Sequence, residues 1–190
     1  MLTSTAHPSG SVELICGCMF SGKTQELLRR ARAHDPHKVV VFKHRRDDRY
    51  SPTQVVTHTH DAYDAVTVTR AVDILERVPL GTEFVGIDEA HFFDSALPGV
   101  CRDLARRGVQ VVVTGLDLDS WGREFAQVRR LRDESEVVLA KKAPCARCGR
   151  PADHTQRTTP IVDGNMVGGP EAFEPRCPDC WRPPPEAPID

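Results

Sequence analysis

The junction between the apolar run Val12-Glu13-Leu14-Ile15-Cys16 and the octet Gly17-Cys18-Met19-Phe20-Ser21-Gly22-Lys23-Thr24 constrains this chain more than any other feature. The octet has the spacing G-x-x-x-x-G-K-[ST], in which two glycines let the backbone curl and turn its N–H groups toward phosphate oxygens. Residues 25–33 carry apolar side chains at helical spacing, so a helix presents its positive end to the same point. Lys23 is placed to neutralise charge on β- and γ-phosphates, and the Thr24 hydroxyl to ligate Mg²⁺. Cys16 and Cys18, which flank the loop, read as small residues filling tight space.

The rest of the chain repeats the pattern that the loop begins. Residues 39–42, 84–87 and 109–114 are short apolar runs of the kind that parallel sheets bury on both faces. Residues 95–107 place Leu97, Val100, Cys101 and Leu104 on one helical face, 71–77 read as a short helix and 137–140 as a last strand. Strand and helix alternate, which predicts an α/β fold with a parallel sheet. At 190 residues the chain holds one main core and a small appendage. Its 25 basic and 27 acidic side chains nearly cancel, which removes the broad positive field that a nucleic-acid polymer needs. Residues 1–10 show no positive leader and no stretch approaches the roughly 20 apolar residues of a membrane span, so the expected location is the cytoplasm, with no membrane partner.

The run Phe84-Val85-Gly86-Ile87 ends in Asp88-Glu89-Ala90-His91, and strand ends of open parallel sheets are where ligands bind. Asp88 is positioned like the acid that holds Mg²⁺, which leaves Glu89 free to take a proton from an attacking hydroxyl or water. The same four letters after a phosphate loop also occur in nucleic-acid-stimulated ATPases. Those motors need two lobes and a basic track, and this chain has the size and charge for neither.

After Lys142 the periodic segments give way to Pro, Gly, Cys and Thr, so we divide the chain into residues 1–142 and 143–190. Cys145-x-x-Cys148 and Cys177-x-x-Cys180 lie 28 residues apart. Two such pairs can bite opposite faces of a tetrahedral Zn²⁺, and four thiolates leave no open position, so the ion is structural. Between them, Asp163-Gly164 reads as a turn between two strands, followed by Gly168-Gly169. A loop clamped at its base beside a nucleotide site reads as a lid over a second substrate, or as a zinc hairpin with only a stabilising or partner-binding role. Four of the last ten residues are Pro, which reads as a disordered tail.

The order of these motifs resembles the type II thymidine kinases, from about Val12 to Cys180. The resemblance rests on "GCMFSGKT", "DDRY" at Asp47, "THTH" around His58, "IDEAHFF", "TGLDLD" at Thr114, Phe125, and the cysteine pairs enclosing "VGG". It implies a P-loop, recombinase-like parallel sheet flanked by helices with a small C-terminal zinc-binding lasso, and transfer of the ATP γ-phosphate to the 5′-hydroxyl of thymidine or deoxyuridine. Glu89 would be the proton acceptor. Gly17, Cys18, Met19, Phe20, Ser21, Gly22, Lys23, Thr24, Asp88, Glu89, Ala90 and His91 would surround ATP and Mg²⁺. Met19, Phe92, Leu116, Phe125, Gly164, Asn165, Met166, Val167, Gly168 and Phe173 would surround the nucleoside. Cys145, Cys148, Cys177 and Cys180 would hold Zn²⁺. The resemblance also implies a homotetramer and feedback inhibition by dTTP.

Within the resemblance His91 stands where Gln is usual, Ser120 where an aromatic is usual and Phe173 where Tyr is usual. All three lie on the nucleoside side. A Tyr-to-Phe exchange removes one hydrogen bond, about 1 kcal/mol, and Trp121 is placed to fill the space left at Ser120. The altered pocket also fits a second reading, a non-catalytic zinc-stapled ATP-binding module that binds ATP tightly without responding to thymidine.

Overall fold

A computed structural model describes residues 10–47, 53–57, 61–160 and 170–185. The phosphate-loop strand β1 (Ser11–Gly17) lies inside a six-stranded sheet with β2 (Val39–His44), β5 (Val66–Val68), β6 (Phe84–Ile87), β7 (Gln110–Gly115) and β8 (Val137–Lys141). The order is β5-β2-β6-β7-β1-β8, and every pairing is parallel. This is why the central strands are continuous apolar runs: both faces are covered, so neither can be polar.

Two cores result. On one face Leu27, Leu28 and Ala31 of α1 (Lys23–Ala31) pack with Ile15, Val41, Phe84 and Val112. On the other, Leu97, Val100, Cys101 and Leu104 of α3 (Leu97–Arg106) and Val128 and Leu131 of α4 (Ala126–Glu134) pack with Val12, Leu14, Val111 and Val113. Leu27 is fully buried against the sheet, and cutting it to Ala would cost about 2–5 kcal/mol. α1 therefore anchors the cradle that precedes it.

The sequence-predicted strands and the helices at 25–33 and 95–107 appear within about two residues of their expected bounds. The short helix α2 (Asp73–Arg77) starts two residues later than 71, because the Asp73 carboxylate accepts the Arg70 N–H at 3.2 Å and holds 70–73 as a turn. α4, β5 and a two-stranded antiparallel ribbon, β3 (Gln54–Val56) with β4 (Ala62–Asp64), have no counterpart in the sequence reading.

Beyond Lys141 the chain forms two antiparallel ribbons, β9 (Ala143–Pro144) with β10 (Pro151–Ala152), and β11 (His154–Arg157) with β12 (Phe173–Arg176). The Asp163-Gly164 turn, Gly164 to Gly168, Asp48 to Tyr50, His58 and residues 186–190 lie outside the described residues. No helix among the described residues is long and apolar enough to cross a membrane.

Candidate active site

The octet after β1 forms a cradle whose shape depends on its two glycines. Gly17 has φ 138°, and a Cβ there would strike the Lys141 carbonyl at 2.1 Å. Gly22 has φ 77° and caps the first turn of α1, so the helix N–H groups open directly onto the loop. Phe20 also sits at positive φ. The Lys23 ammonium is buried and donates to the Cys18 carbonyl at 2.7 Å, and Ser21 Oγ donates to the same oxygen at 2.8 Å. Burial lowers the Lys23 pKa, and Glu89 is the charge that opposes this most.

The acid pair is turned in two directions at one point. Glu89 adopts the left-handed conformation, φ 55° and ψ 52°, which a non-glycine residue occupies only where its surroundings enforce it. Here Thr114 at the end of β7 enforces it, since its hydroxyl accepts the Glu89 N–H at 3.2 Å and donates to Asp88 Oδ1. Asp88 also accepts from the Thr24 hydroxyl, 3.2 Å to each carboxylate oxygen. Hydroxyl and carboxylate thus share one spot beside the loop, a donor set of hard oxygens that fits Mg²⁺. Glu89 points the other way, with Oε2 3.4 Å from His91 Nδ1. Ala90 is buried in the core behind them.

His91 leads into a cavity of about 210 Å³. Met19, Phe92, Leu116, Phe125 and Phe173 line it, which are all the nucleoside-side residues named from the resemblance that lie within the described chain. Ser120 and Trp121 line it side by side, so an indole does occupy the wall where an aromatic is missing at Ser120. The His91 ring lies 5.0 Å from that of Phe125 and 4.3 Å from that of Phe92, and Leu116 N donates to His91 Nδ1 at 3.3 Å. Asp47 is buried beside Lys43 at 3.4 Å.

The cavity also has walls that sequence reasoning did not identify: Arg46, Leu118, Asp119, Thr155 and Arg157. Thr155 and Arg157 alternate on β11, so both face the cavity, while Gln156 between them accepts the Arg182 N–H at 2.8 Å on the opposite side. That two-residue period was the signal available. Thr155 also reaches the phosphate loop, accepting the Met19 N–H at 3.1 Å, and Cys18 Sγ donates to the Ala152 carbonyl at 3.4 Å.

The four predicted metal ligands converge behind this contact. The sulfurs of Cys145, Cys148, Cys177 and Cys180 all lie within 4.8 Å of one another, and those of Cys148 and Cys177 are 3.5 Å apart. Sulfurs bound at about 2.3 Å around a tetrahedral Zn²⁺ stand about 3.8 Å apart, so the cluster fits that ion. Against desolvation, the backbone N–H groups of Cys177, Arg147 and Cys148 hold Cys145 down at about 6, whereas desolvation and its sulfur neighbours push Cys180 up to about 12. Cys145 and Cys177 pack with Cys18, Ala143 and Ala152, joining the cluster to the phosphate loop.

A phosphate cradle, a hydroxyl–carboxylate pair for a divalent cation and a second acid leading into a separate cavity define a P-loop protein built for phosphoryl transfer to a small molecule. The profile of the thymidine kinase family matches residues 10–181. Over 177 residues the chain is 44% identical to the thymidine kinase of Rhodothermus sp. (strain ITI 518), covering 92% of this chain and 83% of that protein. This chain belongs to the thymidine kinase family. Among solved structures it is similar to the ATPase DotB of Legionella pneumophila, at 15% identity and a TM-score of 0.43. That likeness covers 73% of this chain and 42% of the other.

Proposed function

We propose that this protein transfers the γ-phosphate of ATP to the 5′-hydroxyl of thymidine, with deoxyuridine as the next-best acceptor, giving the nucleoside monophosphate and ADP. The single observation that best supports this is the geometry at Glu89: its Oε2 stands 3.4 Å from Nδ1 of the cavity-lining His91, while the neighbouring Asp88 accepts from the phosphate-loop Thr24 hydroxyl at 3.2 Å. A hydroxyl held in the cavity attacks the γ-phosphorus in line, Glu89 accepts its proton, and the bond to the β-phosphate oxygen breaks as ADP leaves. Lys23 and the N–H groups of the loop stabilise the charge spreading over the transferring group. Thr24 and Asp88 would hold Mg²⁺, which would supply further neutralisation of the phosphates.

Residues 1–142 form the nucleotide-binding unit in this reading, and residues 143–190 a zinc-held lid. The family resemblance assigns recognition of the base to main-chain groups of Gly164, Asn165, Met166, Val167 and Gly168, which lie outside the described residues. Cys145, Cys148, Cys177 and Cys180 would hold a structural Zn²⁺, and four thiolates would leave no open position for chemistry. Four copies assemble, and support comes from the outer strand β8, where Val137, Val138 and Leu139 in succession are exposed. The protein works in the cytoplasm without a nucleic-acid partner. The test is a panel of nucleosides incubated with ATP and Mg²⁺, read as ADP release. Thymidine and deoxyuridine should lead, and no turnover with any pyrimidine nucleoside would refute the proposal. ATP binding without any thermal stabilisation by thymidine would favour the non-catalytic module instead.

A further inference from the structure

We propose that Lys141 is a second phosphate-binding cation, which closes the outer side of the phosphate loop and sets the affinity for ATP; this rests on the kinase reading above. β8 runs parallel to β1 with Lys141 opposite Gly17, so its last residue reaches the crevice at the carboxyl ends of the strands, where open α/β sheets bind ligands. The close backbone approach at Gly17 fixes where the side chain starts. From there it runs along the loop: Lys141 Nζ and Cε stand 3.7 and 3.8 Å from where a Cβ on Gly22 would lie. Gly22 is the residue that caps α1. The ammonium therefore sits at the helix end whose unpaired N–H groups gather anions.

The charges around the loop argue for the same role. Lys23 already faces the Cys18 carbonyl and has Glu89, Asp88 and Asp117 about it, so part of its charge is balanced before any phosphate arrives. Lys141 is half-buried and its ammonium makes no hydrogen bond or ion pair with any described residue, whereas that of its neighbour Lys142 is held by Asp153 at 3.2 Å. A cation beside the positive end of a helix is placed against the local field. An anion bound there would remove that opposition. The other side chains near it on β8, Val137 to Leu139, are apolar, so no local ion-pair network accounts for the lysine. Because an ammonium acts as a point charge, its contribution follows the phosphates and not the base.

The test is calorimetric titration of MgATP into the full chain at low ionic strength, with wild type, Lys141→Gln, Lys141→Arg and Lys142→Gln, each checked for an unchanged unliganded Tm. Lys141→Gln should weaken ATP binding about 5- to 10-fold, the range between a screened surface pair and a charge-assisted hydrogen bond. KM for ATP should rise with it, while kcat and KM for thymidine move less than about 2-fold by the same reasoning. Lys141→Arg should restore most of the affinity, Lys142→Gln should match wild type, and wild type should lose affinity with added salt more steeply than Lys141→Gln. Equal affinity in wild type and Lys141→Gln, or an equal loss in Lys142→Gln, overturns the proposal. A wild-type protein that does not bind MgATP overturns the kinase reading instead.

Discussion

Thr155→Val tests whether the C-terminal ribbon holds the phosphate loop in shape. The Met19 N–H donates to the Thr155 hydroxyl at 3.1 Å, and the two residues are 6% and 2% exposed, so water has no access to replace the bond. Valine keeps the side-chain shape and sets a methyl where the hydroxyl was. An unsatisfied buried donor costs about 1–3 kcal/mol. At about 2–4 °C of Tm per kcal/mol for a chain of this length, a central value of about 2 kcal/mol lowers Tm by about 4–8 °C. Because the orphaned N–H belongs to the loop, KM for ATP should rise about 3- to 10-fold, although Thr155 lines the nucleoside cavity. Thr155→Ser, which keeps the acceptor, should recover most of both losses. The assays are thermal unfolding with and without MgATP, and steady-state rates with ATP and thymidine varied separately. A Thr155→Val protein with wild-type Tm and wild-type KM for ATP, impaired only toward thymidine, would refute the coupling.

Cys148→Ser should abolish stoichiometric zinc as measured by elemental analysis of the purified chain and lower its Tm, since three thiolates hold the ion far more weakly; retained zinc would contradict the four-thiolate site. Burial lowers the Lys23 pKa in the free protein and a triphosphate raises it again, so MgATP binding should take up protons between the free-protein and the bound pKa. Affinity then falls as pH rises through the free-protein pKa, which calorimetry in buffers of different ionisation enthalpy will read, and proton release would contradict the assignment. Hydrogen bonds from Arg29, against some desolvation, and from Arg30 hold Glu26 down at about 2, so its contribution is present above the ordinary carboxylate pKa and lost as pH falls toward 2. Glu26→Gln should therefore reduce stability at neutral pH, by about 1 kcal/mol or less because its partner Arg29 is solvent-exposed, and the difference from wild type should vanish near pH 2.

Much of this fold was legible because parallel strands buried on both faces leave a strong signal in short segments. Val111, Val112 and Val113 need no context to be read as a central strand. α4 was not legible, since only Val128 and Leu131 of its nine residues are buried and the rest of AQVRRLRDE, Ala126 aside, is polar or charged. Three-residue β5 has too few residues to show a period, and β3 and β4 pair only with each other. The phosphate loop, the acid pair and the cysteines were legible because each needs a fixed local spacing. Arg46, Thr155 and Arg157 have no such spacing with Met19 or Phe92, and only the folded chain brings them to one cavity. Lys141 belongs to no motif either; its approach to Gly22 depends on the register of β8 against β1.

The central claim is that Glu89 takes the proton of the attacking hydroxyl. Glu89→Gln keeps the shape of the side chain and removes its basicity, and both MgATP binding and single-turnover formation of dTMP from thymidine can be measured on the same preparation. We predict ATP affinity within about 2-fold of wild type and turnover depressed by about 10² or more, as loss of a general base requires. Turnover near that of wild type, with ATP bound normally, would contradict the account.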